Sequence, residues 1–103
     1  MTKNEIYAKA LDKWGVKLQH IKAIEELSEL IQEIAKIVII LDTDEFITQN
    51  TLAAFFEEFA DVEIMLEQIR LFKLNGKTLD HWIDKAKEEK LARLAKKVGD
   101  LDD

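Results

Sequence analysis

No proline interrupts this chain of 103 residues, and only three glycines do. Proline breaks a helix by removing a backbone donor and clashing with the preceding turn, and glycine weakens one through backbone entropy. A chain with almost neither, rich in Ala, Leu, Ile, Glu and Lys, is suited to long helices. At 11.9 kDa it has room for one domain, residues 1–103, with a core modest enough that oligomerisation would complete it. The expected fold class is an all-α helical bundle.

Composition narrows the function classes. A hydrophobic share of 48% beside 35% charged residues is too apolar for disorder and too interrupted by charge for a membrane span. With no cysteine there is neither a disulfide scaffold nor a thiolate metal site. The net charge of −6 argues against a nucleic-acid polymer as partner. Met1 to Ala10 is charged and lacks an apolar signal core, so a cytoplasmic protein with no membrane partner is expected. Charge is also uneven: residues 1–69 hold 6 basic and 14 acidic side chains, and residues 70–103 hold 9 and 7. One half is suited to cations and the other to anions.

About four helices are expected. Residues 3–14 place Ile6, Ala10 and Trp14 on one face and stop at Gly15, which reads as a C-terminal cap. Residues 17–41 carry Ile21, Ile24, Leu27, Leu30, Ile31, Ile34, Val38 and Leu41 at helical spacing. The β-branched run Ile37 to Leu41 continues that phase and has no partner strand, so it reads as helix. Apolar nearly all round, this helix calls for burial on two sides, one of them against another subunit. A polar linker, 42–50, leads to a third helix over 51–74, with Asn50 as N-cap and Asn75-Gly76 as its end. Thr78 then caps a last helix over roughly 79–98, and the tail from Gly99 to Asp103 is expected to fray.

Most acidic residues on helices are simply solvated, and Glu57, Glu63 and Glu67 face away from the apolar sector of the third helix as a surface should. Glu58 does not. At about 100° per residue it falls between Met65 and Ile69, within the stripe of Phe55, Val62, Met65, Ile69 and Phe72. Asp61 follows one turn on, at the edge of that stripe. On the second helix Gln19, Lys22, Glu26, Glu29 and Glu33 form a polar stripe bordering the apolar face, with Glu26 nearest the core. If the two helices pack antiparallel, Glu26 and Glu29 face Glu58 and Asp61, and each i, i+3 pair projects the same way. Four such carboxylates repel one another unless a cation joins them. A hard divalent ion with oxygen ligands, Mg²⁺ before Ca²⁺ or Zn²⁺, resolves the conflict. A di-iron carboxylate bundle would need Glu-x-x-His pairs, whereas the histidines here sit in Lys17-x-x-His20 and Thr78-x-x-His81.

Glu25-Glu26-Leu27-Ser28-Glu29, followed by Glu58-Phe59-Ala60-Asp61, resembles the EExxE…ExxD signature of the MazG-like all-α nucleoside triphosphate pyrophosphohydrolases. Twenty-eight residues separate the two halves, a long spacing for that pattern. The flanking text from Ala23 to Leu30 and from Glu58 to Gln68, and the C-terminal stretch from Lys87 to Leu94, are similar to the small single-domain members. The resemblance covers roughly residues 13–97.

The resemblance implies Mg²⁺-dependent cleavage between the α- and β-phosphates of a nucleotide, with Mn²⁺ as a substitute ion. Glu26, Glu29, Glu58 and Asp61 match the metal-ligand positions. Glu25 matches the first acid of the motif, beside the ligands or orienting the attacking water. In such a reaction the ion neutralises developing charge, and the protein contributes mainly positioning. Lys87, Lys90 and Arg93, on one face of the last helix, resemble the basic motif that meets the phosphate tail. Gln19 stands where small relatives place a glutamine near the substrate, and Trp14 is a candidate for stacking on the base. Trp82 is expected in the core or a subunit interface, and His20 and His81 at the surface. The implied assembly is a homodimer or homotetramer with active sites near the interface. Two other readings stay open: a phosphoribosyl-ATP pyrophosphohydrolase-like enzyme, and a non-catalytic helical interaction module.

Overall fold

The computed structural model describes the backbone of residues 1–102 and the side chains of residues 1–99. Three helices carry nearly all of it: α1 (Lys3–Asp42), α2 (Gln49–Arg70) and α3 (Leu79–Asp102). Between α2 and α3 lies a small hairpin of β1 (Lys73–Leu74) and β2 (Lys77–Thr78). The chain divides into two compact parts, Met1–Ile69 and Arg70–Asp103. Among the described residues, no helix is long and apolar enough to cross a membrane.

The first part is α1 and most of α2. The side chain of Thr2 accepts a hydrogen bond from the Glu5 backbone N–H at 3.1 Å, an N-cap that satisfies one orphan donor of the first turn. Gly15 breaks the helical path as expected: it kinks α1 with a non-helical φ of 82 and ψ of 164, a conformation essentially confined to glycine, and helix continues on either side. Ile37 to Leu41 is helical, as the phase of the preceding turns requires. The loop after α1 is shorter than expected, because α2 begins at Gln49 with Thr48 as its cap: Thr48 Oγ1 accepts from the Thr51 N–H at 3.2 Å. Asn50 therefore lies inside the helix.

The two helices run antiparallel, because their contacts follow opposite orders along the chain. Tyr7 near the start of α1 donates to Glu67 Oε2 near the end of α2, at 2.5 Å, whereas Glu26 meets Glu58 and Asp61. Lys3 adds an ion pair to Glu67 at 3.3 Å. Glu67 is thus a tether between helices and not the free surface acid its wheel position indicates. Burial pushes the Tyr7 phenol up to about 12, and the Glu67 carboxylate reinforces the shift.

The face that α1 buries differs from the one expected. Gln19, Ala23, Glu26 and Leu30 are buried, at the border between the apolar and polar stripes. Of the long apolar series, Ile24, Ile31, Val38 and Leu41 are exposed, with Ile31 at 66%. From α2, Val62 and Met65 join the core, along with the polar Gln68. The core of this part is consequently small and includes polar groups.

In the second part, α2 stops at Arg70 and the chain enters β1, so Asn75-Gly76 does not end a helix. It is the turn of the hairpin: both residues have positive φ, 52 and 79, as a type I′ turn requires. The strands pair Lys73 with Thr78 and Leu74 with Lys77. The Leu79 N–H donates to Phe72 O at 2.7 Å, fastening the start of α3 to the residue before the hairpin. Arg70 holds Asp80 and, at 2.9 Å, Asp84, clamping the first turns of α3. Thr78 belongs to β2, and α3 continues past Gly99 to Asp102, so the expected fraying does not begin at Gly99. Asp103 lies outside the described residues. Trp82 is 41% exposed, with the His81 ring edge-on to it.

Candidate functional site

Glu26, Glu58 and Asp61 each offer a carboxylate oxygen, and these oxygens lie within 4.8 Å of one another. The geometry comes from helical spacing: Glu58 and Asp61 are one turn apart on α2 and face the turn of α1 that carries Glu26. Glu29 touches Glu58 as well, strongly enough to affect its titration. Glu26 is only 6% exposed, Glu58 is half-buried, and Asp61 and Glu29 lie open on the rim.

One oxygen of Glu26, Oε1, takes the Lys22 ammonium at 3.0 Å. The other, Oε2, is buried without a hydrogen-bond partner, and so is Glu58 Oε2. A buried acceptor left without a donor is costly, and a buried charge more so. The titration of the cluster reflects this. Burial, together with the adjoining Glu29, pushes the Glu58 carboxyl up to about 7, and burial beside Glu26 raises Asp61. The Lys22 hydrogen bond holds Glu26 below the ordinary carboxylate range.

The donor set fits a hard divalent ion. All the ligands are carboxylate oxygens, and two buried oxygens lack any other partner.

Beside the cluster a cleft of about 380 Å³ opens between α1 and α2. Trp14, Leu18 and Met65 provide apolar walls, and Gln19, Lys22, Glu25 and Gln68 supply polar groups. Trp14 is half-exposed there, with the Lys13 ammonium 5.1 Å above its ring. Gln19, Trp14 and Glu25 thus share one cleft adjoining Glu26, Glu29, Glu58 and Asp61. Lys87, Lys90 and Arg93 lie in the second part, exposed along α3. His20 and His81 are exposed.

Two residues of this region carry no signal in the sequence. Lys22 reads as one more charge in a polar stripe, yet it joins the cluster to the cleft. Gln68 is 8% exposed with Oε1 unpartnered, while its amide N–H points to Met65 Sδ at 3.8 Å. Its position in the heptad neighbourhood of Met65 suggests only an interior residue. Comparison with protein-family models, with curated proteins and with solved structures finds no match.

Proposed function

We propose that this chain is a divalent-cation-dependent nucleoside triphosphate pyrophosphohydrolase of the MazG-like kind. Water attacks the α-phosphorus, the bond from that phosphorus to the bridging oxygen breaks, and a nucleoside monophosphate and pyrophosphate leave. The observation that carries the reading is the cluster of Glu26, Glu58 and Asp61, whose carboxylates each bring an oxygen within 4.8 Å of the others, with one buried oxygen each on Glu26 and Glu58 lacking a hydrogen-bond partner. Glu26, Glu29, Glu58 and Asp61 would hold the ion, Mg²⁺ or in its place Mn²⁺. When bound, the ion supplies neutralisation of phosphate charge and polarisation of water. Glu25, which lines the cleft, would accept a hydrogen bond from the attacking water, and Trp14 and Gln19, which line it too, would meet the base. Lys87, Lys90 and Arg93 are proposed as cations for the phosphate tail.

A second copy of the chain is proposed as the cover for the apolar face of α1, in a homodimer or homotetramer. Ile24, Ile31, Val38, Ile39 and Leu41 are all more than half exposed, and a two-fold pairing of that face would cover it on both copies at once. A cytoplasmic location goes with a nucleotide substrate.

The test is a panel of ribo- and deoxynucleoside triphosphates with Mg²⁺, resolving pyrophosphate from orthophosphate, with Glu58→Gln alongside. Pyrophosphate and monophosphate from the wild type alone are expected. No turnover on any nucleotide, combined with a melting temperature indifferent to Mg²⁺, would leave the helical interaction module as the better reading.

A further inference from the structure

Lys22 is the joint between the acidic cluster and the cleft. Its ammonium is 3.0 Å from Glu26 Oε1 and 3.7 Å from Glu25 Oε2, and the same side chain lines the cleft with Trp14 and Met65. Residues 1–69 contain 6 basic side chains against 14 acidic ones. Lys36 is committed to Glu33, Lys3 to Glu67, and Lys13 lies over the Trp14 ring. Among the described residues of this part, Lys22 alone both lines the cleft and bonds a carboxylate of the cluster. An ammonium has three N–H donors, and two carboxylates engage at most two of them in this geometry. The side chain is 54% exposed, so the third donor remains accessible.

We propose that Lys22 meets the phosphate chain of a nucleotide whose base sits in the Trp14–Met65 cleft and whose phosphates run toward Glu26, Glu58 and Asp61. The proposal rests on the pyrophosphohydrolase reading for the identity of the ligand. The phosphate chain and the five acids around the cluster carry the same sign, and Coulomb repulsion keeps them apart unless a cation stands at their junction. Lys22 stands there already, oriented by Glu26 and Glu25. It is a substrate-binding residue supplied by the same helix as Glu25, Glu26 and Glu29, independent of the basic residues on α3.

The experiment follows Trp14 fluorescence in a Trp82→Phe background, with Trp14→Phe as the signal control. Two probes are titrated: a free deoxynucleoside, and the matching α,β-methylene triphosphate, whose carbon bridge prevents turnover. Mg²⁺ is raised until binding no longer changes, which removes any effect of Lys22 on ion affinity. Both probes are expected to quench Trp14. Lys22→Met should weaken the triphosphate analogue roughly tenfold or more, the scale of one lost charge-assisted hydrogen bond. It should leave the deoxynucleoside unchanged, and Lys22→Arg should restore the analogue. Circular dichroism verifies that each variant is folded. Equal analogue affinity in wild type and Lys22→Met would overturn the proposal, as would the absence of quenching by either probe. Hydrolysis of the natural triphosphate by wild type is measured in parallel. Lys22-dependent binding without hydrolysis would overturn the pyrophosphohydrolase reading and leave the role of Lys22 in binding intact; hydrolysis with Lys22-independent binding would overturn only that role.

Discussion

Glu58 concentrates the electrostatic conflict of the molecule in one side chain. Its carboxyl is raised from an ordinary value of 4.5 to about 7, first by burial and then by Glu29 and Glu26. Between those two values the folded protein binds more protons than the unfolded chain. Stability therefore falls as pH rises through that window and is lowest above it. Asp61, also raised, acts with the same sign, whereas Glu26, lowered by Lys22, contributes stability that is lost only as pH falls below the ordinary carboxylate range. In a chelating buffer the melting temperature should decline from about pH 5 to about pH 7.5, and Glu58→Gln should flatten that decline. At the upper pH, Mg²⁺ should raise the wild-type melting temperature and leave Glu58→Gln unmoved. Ligand present at about 100 times its dissociation constant adds about 2.7 kcal/mol, a shift that melting resolves easily. Parallel slopes in the two proteins would assign the pH dependence to other groups.

At the scale of elements, two glycines take backbone conformations that a residue with a side chain adopts only at a cost. Gly76 lets the hairpin turn with φ 79, and Gly15 takes φ 82 and ψ 164 inside α1. A Cβ at Gly15 would meet no atom within 4 Å, so the barrier to substitution there is backbone conformation and not crowding. The kink lies between Tyr7, tied to the end of α2, and Gln19, buried at the start of the cleft. Gly15→Ala should cost about 1–3 kcal/mol in chemical denaturation, the usual range for such a conformation in a residue with a side chain. It should also alter Trp14 emission, since Trp14 is the adjacent residue and lines the cleft. An unchanged midpoint would mean that α1 runs equally well through a straight junction.

For the whole molecule, the decisive quantity is the apolar surface left uncovered. The exposed apolar residues on α1 span residues 24–41, about 27 Å of helix. Patches of that extent on a lone chain are uncommon and mark contact surfaces. Light scattering coupled to gel filtration should return a multiple of 11.9 kDa. Ile31→Glu, which puts a charge on a side chain 66% exposed, should shift that mass toward the monomer while keeping the helical signal. A monomeric wild type would require another cover for this face.

The absence of proline, the spacing of Leu30 and Ile34, and the phase that carries Ile37 to Leu41 were enough to establish long helices, because helical periodicity is a local property of the chain. The acids at Glu26, Glu58 and Asp61 were also legible, since each breaks or borders an apolar stripe and side-chain direction on a helix follows from position alone. Local pattern was misleading at Asn75-Gly76, where two positive φ values end a helix or turn a hairpin equally well, and pairing across Lys73 to Thr78 selects the hairpin. Only the tertiary structure decided which face of α1 meets α2. Burial depends on which surface the rest of the chain covers, and here Gln19, Ala23, Glu26 and Leu30 are buried while the more apolar flank is left outside. The same choice makes Glu67 a tether, Gln68 an interior amide and Lys22 the bridge from cluster to cleft, because each owes its role to a neighbour distant in sequence.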